Sequence, residues 1–298
     1  MKKLIPFKFL AALLLLLIFV LPVASQKEAT QKYEAQASND FYKVVADAGV
    51  LDSALSGVTL WHDYGAFALY KVTEGAMSNL SIAQRERIVV VDDSIKIDAY
   101  PFNTQTESID VPINLSLTNP KGGALHLVQF VGPMKASWLD MVRATGAKPI
   151  HYINSNGYLV WANSAARAKL DILASDGDFL QFSMPYQPYF KLGQSIRERI
   201  ENVDESNDKS IEATDSEIVP VTIQMYKHDG GAETEALVDK VAVERISKWA
   251  PILRYQNIIV KVHASDFVTL ANRPDVVWIG ERFEREMMDA AQGFIIAG

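Results

Sequence analysis

Two stretches set one hundred residues apart decide the fold: Gly157–Leu170, GYLVWANSAARAKL, and Gln256–Leu270, QNIIVKVHASDFVTL. They superpose without gaps. Leu159 falls on Ile259, Val160 on Val260, Ala162 on Val262 and Leu170 on Leu270. Each reads as an apolar strand running into an amphipathic helix. Gly65–Leu80, GAFALYKVTEGAMSNL, repeats the pattern a third time. Each copy closes on another apolar run: Ile88–Val91, Phe179–Phe182 and Val276–Ile279. Three copies in one order indicate internal repetition.

The middle copy shows the plan. Leu125–Val131 reads as a strand and Ser137–Thr145 as a helix, with Ser137 as N-cap and Gly146 as its stop. Lys148–Ile153 and Tyr158–Trp161 read as strands joined by Asn154-Ser155-Asn156-Gly157, a hairpin turn. Helix Ser164–Leu173 and strand Asp178–Phe182 follow. The order is βαββαβ, the ferredoxin-like or split-βαβ plan. The last copy is expected as Val221–Tyr226, helix Glu233–Lys248, Ile252–Tyr255, Ile258–Val262, helix Ser265–Ala271 and Val276–Ile279. The first copy is expected to lack its opening strand and to start with a helix over Asn39–Ala48, stopped by Gly49. The predicted class is therefore α+β: tandem ferredoxin-like modules, the first one incomplete.

Boundaries come from composition. The 298 residues are 49% apolar and 22% charged, which is globular chemistry. Lys2, Lys3 and Lys8, the apolar run Phe9–Leu21 and the small residues Val23-Ala24-Ser25 have the form of a signal peptide, residues 1–25. That predicts a secreted or periplasmic protein with no stable membrane insertion after cleavage. Residues 38–100 form the degenerate first module. Residues 101–123, rich in Pro, Asn, Thr and Ser, read as a linker. Residues 124–192 are the middle module. Residues 193–217 read as an acidic linker with a short helix near Ser195–Ile200; eight acids face three bases between Gly193 and Val219. Residues 218–289 are the last module and 290–298 a tail ending in Phe294-Ile295-Ile296.

The chemistry is mostly negative. Cysteine is absent, which removes disulfides, thiolate metal sites and a Cys nucleophile. A net charge of −7 argues against nucleic acid as partner. There is no GxSxG, HExxH, GxGxxG or GxxxxGK[ST]. His62, His126, His151, His228 and His263 have no partner at ligand spacing, so no catalytic residue, metal or cofactor is predicted. Trp61, Trp138, Trp161, Trp249 and Trp278 read as core packing, or as a ligand platform.

Leu270, Pro274, Val276, Ile279 and Glu281 form L-x3-P-x-V-x2-I-x-E. This resembles the closing strand of the inhibitor I9-type propeptide of subtilisin-like (S8) serine peptidases. Leu125–Ala162, Met184–Leu192 and His62–Val72 are similar to the repeated N-terminal modules of large exported peptidases of that family. The similarity spans about 60–289. The family's Asp-[ST]-Gly, His-Gly-[TH]-His and Gly-Thr-Ser-Met turns are all missing. The resemblance implies a non-catalytic prodomain, either stand-alone or the front of a precursor. It would act as inhibitor and folding chaperone of a subtilisin-like peptidase domain, in cis or in trans. Its sheet would dock on the peptidase and its tail would occupy the substrate cleft. The docking residues so implied are Val276, Val277, Trp278, Ile279, Glu281, Phe283, Met287, Met288 and Phe294. The alternative is an exported ligand-binding or scaffold protein of ferredoxin-like repeats with no peptidase partner.

Overall fold

The structure, a computed structural model, describes residues 29–34, 40–205 and 217–283. The signal-peptide stretch and the 290–298 tail lie outside the described residues.

Strand β1 (Thr30–Tyr33) precedes a first unit of β2 (Phe41–Asp47), β3 (Val58–Asp63), β4 (Phe67–Thr73), α1 (Glu74–Asn79), α2 (Ile82–Arg85) and β5 (Ile88–Val90). Next come β6 (Ser94–Ile97), β7 (Tyr100–Asn103) and β8 (Ile109–Pro112). The middle unit is β9 (Ala124–Phe130), α3 (Ala136–Ala144), β10 (Lys148–Ile153), β11 (Gly157–Ala162), α4 (Ser164–Asp176) and β12 (Leu180–Pro185). Helices α5 (Pro188–Lys191) and α6 (Gln194–Glu205) lead to the last unit. It comprises β13 (Ile218–Tyr226), α7 (Gly231–Val241), β14 (Glu244–Lys248), β15 (Tyr255–His263), α8 (Phe267–Ala271) and β16 (Val276–Glu281).

The architecture is mixed α+β, with three four-stranded antiparallel sheets. Their orders are β3-β4-β2-β5, β10-β11-β9-β12 and β14-β15-β13-β16. In each, the first and third strands of the unit pair centrally and the second and fourth lie at the edges. The local reasons are legible in α4. Asn163 caps it by accepting the Ala166 N–H at 2.9 Å, Ala166, Leu170 and Ala174 face the core, and Gly177 closes it at φ +65°.

Several expectations are corrected. Residues 41–47 form strand β2, not a helix, so the first unit has its opening strand; what it lacks is the first helix, replaced by turns before β3. Alternation decides this: Val44 and Ala46 enter the first core while Lys43 and Val45 face the middle unit. The helix expected over 233–248 ends at Val241, and Glu244–Lys248 is strand β14. Arg245 and Lys248 pair with Asp239 and Glu235 of α7. At separations of six and thirteen residues these charges would not face each other on one helix, and they meet only because β14 folds back beside α7. Ile252–Tyr255 is a tight turn rather than a strand.

Residues 101–123 are not a free linker. Phe102, Ile109 and Val111 bury against Leu125, Leu127, Leu159, Phe182 and Met184 of the middle sheet. Each such side chain contributes about 1.5–3 kcal/mol by leaving water. The acidic stretch begins as the twelve-residue helix α6, longer than expected, with Ile196 in the last core.

The middle sheet is covered on both faces. Val128, Phe130 and Val160 pack under α3 and α4 together with Leu69 of the first unit. The other face packs against β6–β8 and against Tyr226 and Val277 of the last unit. Strand β9 is accordingly buried along its whole length.

Candidate docking surface on the last sheet

Strand β16 is an edge strand paired with β13, with Ile279 opposite Ile223, Gly280 opposite Thr222 and Glu281 opposite Val221. Its side chains divide by face. Val276 and Ile279 bury in the core beneath α7 and α8. Val277 buries in the core shared with the middle unit. These three residues of the implied docking set hold the protein's own interior together, so no partner can reach them without unpacking it.

Trp278 and Phe283 remain exposed, at 36% and 71%. The Trp278 indole lies across the Gly280 backbone: a Cβ at position 280 would fall 1.8 Å from its ring. Glu281 accepts from Arg199 of α6 at 2.7 Å, and the same guanidinium donates to Glu217 at 2.5 Å. Two carboxylates raise the Arg199 pKa, chiefly through the Glu281 hydrogen bond. Glu281 is therefore a clasp between β16 and α6. Met287, Met288 and Phe294 lie outside the described residues.

The outer edge of β16 is capped at one point, where the Gly193 N–H donates to the Ile279 carbonyl at 2.8 Å. The sheet face away from α7 and α8 presents Thr222, Gln224, Asn257 and Lys261, all part-exposed, with Trp278. Gln224 donates to Asn257 at 3.2 Å, and Lys261 pairs with Glu244. A cavity of about 560 Å³ opens beside this face, lined by Lys96, His151, Tyr152, Gln224 and Trp278. His151 is held through Nδ1 by the Tyr255 hydroxyl, and burial lowers its pKa.

Three polar clusters resemble catalytic machinery. His126 Nε2 and Ser183 Oγ are 2.7 Å apart, and Ser183 donates to Asp171 at 2.8 Å. The hydroxyl proton is spent on the carboxylate, which leaves the imidazole unable to accept it as a base. Burial, aided by the Arg167 charge, holds the His126 pKa at about 3. Around buried Asp275, Thr234 Oγ1 donates at 2.5 Å, His228 Nε2 lies at 3.1 Å, and Lys191 donates to the Arg273 carbonyl at 2.6 Å. This set pins α7 and α5 to the approach of β16. Finally, Lys43 is buried between Asp93 and Gln181. Among the described residues no three His, Asp or Glu side chains form a metal-binding group.

Of the tryptophans, Trp138 is buried, and Trp161 packs at a tilt against Tyr226 and His228, at 5.2 and 4.4 Å between ring centroids. Trp61 lies under the Lys71 ammonium. Trp249 and Trp278 are left facing solvent. Sequence reasoning missed Arg199, Gly280, Lys191 and Asp275. A glycine inside a predicted strand was a usable signal for Gly280, because it marks a close approach.

A family model described as a domain of unknown function, DUF8729, matches residues 94–187. The match begins at the first residue of β6 and ends just beyond β12, so it spans the middle unit together with the strands covering its second face. No curated protein and no solved structure matches the chain.

Proposed function

We propose that this chain is an exported, non-catalytic prodomain-like protein that docks on a subtilisin-like serine peptidase through its last sheet. The segment beyond Glu281 lies in the peptidase cleft as a product-like strand. The three units are read as tandem ferredoxin-like modules, the first with a loop in place of its first helix. The observation carrying the proposal is the contrast between two sheets. The middle sheet is buried on both faces, whereas the last keeps one face part-exposed, beside the edge strand that ends at Glu281. A preformed surface next to an edge strand suits strand addition combined with a rigid footing, which limits the ordering cost of binding.

The test is inhibition of a secreted subtilisin-like peptidase by the full chain and by a variant lacking 284–298. That deletion keeps the Glu281 clasp and every described residue of the last sheet, and an unchanged thermal midpoint is its folding control. Potency falling at least a hundredfold on deletion supports the reading. Equal inertness of both proteins removes it.

One observation favours a second reading, an exported ligand-binding protein. The cavity of about 560 Å³ has the Trp278 indole on its wall, lying over Gly280. Soluble ligand binding lost in Trp278→Ala, without any peptidase inhibition by the full chain, would select it.

A further inference from the structure

The hairpin tip between β14 and β15 departs from two rules at once. Trp249, Ile252 and Leu253 are 50%, 61% and 92% exposed. Leu253 also sits at φ +55°, the left-handed region that a side chain of its kind avoids. It is held there by a tight turn. Ile252 N–H donates to the Tyr255 carbonyl and Tyr255 N–H to the Ile252 carbonyl, both at 3.0 Å. The turn is rigidly footed, because Arg254 Nη1 donates to the carbonyls of Pro149 and Ile150 in the middle unit. A strained, anchored turn with its leucine in solvent gains nothing for the fold. Such strain accumulates where a side chain is displayed.

A cavity of about 510 Å³ adjoins the tip through Arg254. Arg143, Lys148 and Arg254 line it beside Pro149 and Tyr226, and no acidic residue is in its wall. Arg143 also reaches Asp140 at 2.7 Å outside the cavity. Lys227, exposed, is joined to Arg254 through their backbones at 2.7 Å. In a chain of net charge −7 this corner is a concentration of cations around an apolar point.

We infer that this corner docks the protein peripherally on an anionic phospholipid bilayer. Ile252 and Leu253 enter the acyl boundary, Trp249 sits at headgroup level, and a lipid phosphate occupies the basic cavity. The arrangement is that of an interfacial anchor, with apolar insertion and cationic attraction acting together.

The experiment is flotation of the full chain with phosphatidylcholine vesicles and with vesicles in which about a third of the lipid is phosphatidylglycerol. Binding to the anionic vesicles alone, weakening as salt is raised, is expected. Leu253→Gly should raise the thermal midpoint, by releasing the left-handed strain, while cutting vesicle partitioning about tenfold. Opposite signs in the two readouts exclude misfolding as the cause. Lys148→Ala should cut partitioning about fivefold. No vesicle binding, equal binding to neutral vesicles, or binding untouched by Leu253→Gly each overturns the inference. So does saturable binding of inorganic phosphate with no vesicle association.

Discussion

The ammonium of Lys43, on the central strand β2 of the first sheet, is buried against the carboxylate of Asp93 and the side-chain carbonyl of Gln181 from the middle unit. Gln181 in turn donates to Asp93 and to Gln129, each at 2.8 Å, and Thr104 donates to Gln129 at 2.5 Å. A single charged network therefore ties the first sheet to the middle one. Burial lowers the Lys43 pKa, and the adjoining Asp93 charge works against that shift.

Removing one partner of such a pair leaves the other charge buried. Lys43→Ala is expected to cost about 3–5 kcal/mol. Limited proteolysis should then cut within residues 41–93 while sparing the middle unit. Unchanged denaturation midpoints would show that the network is neutral to stability.

His126 sets an acid limit. Its folded pKa of about 3 lies below the ordinary value of 6.5. In that interval the unfolded chain binds the proton and the fold does not. The stability it provides is present above pH 6.5 and drains away as pH falls toward 3. Relative to His126→Phe, the native protein should lose roughly 2–3 kcal/mol between pH 7 and 4.5, read by urea denaturation at the two pH values. Parallel pH profiles for the two proteins would contradict this.

Lys191 works in the opposite pH range. It is fully buried, and desolvation lowers its pKa from 10.5 to about 7. Above pH 7 the folded amine is neutral while the unfolded one still carries its proton, so its burial becomes less costly as pH rises toward 10.5. The stability of the native protein relative to Lys191→Met should rise between pH 7 and 9, by up to about 1.4 kcal/mol per pH unit. A constant difference across that range would rule it out.

Gly280→Ala tests the seat of Trp278. The added methyl would meet the indole at 1.8 Å, so the ring must leave. A shift in tryptophan emission and a loss of about 1–3 kcal/mol are expected. If the proposed docking face is used, peptidase inhibition falls with it; an unmoved emission spectrum would mean the ring never rested there.

The triplicated strand–helix pattern, the middle copy's element order and the hairpin at Asn154–Gly157 were all readable from residues, because period and turn chemistry are local properties. The same locality explains the misreadings. Phe41–Asp47 is buried on both faces and so shows no polar stripe to mark it as a strand. The pairing of Arg245 with Asp239 and of Lys248 with Glu235 joins two elements, so it was not visible as a spacing along one helix. Tertiary packing alone decided that Val276, Val277 and Ile279 are interior, that Glu281 is a clasp for Arg199, and that residues 94–112 form the second wall of the middle sheet. Those outcomes depend on which apolar face finds which neighbour far along the chain, and periodicity holds no record of that pairing.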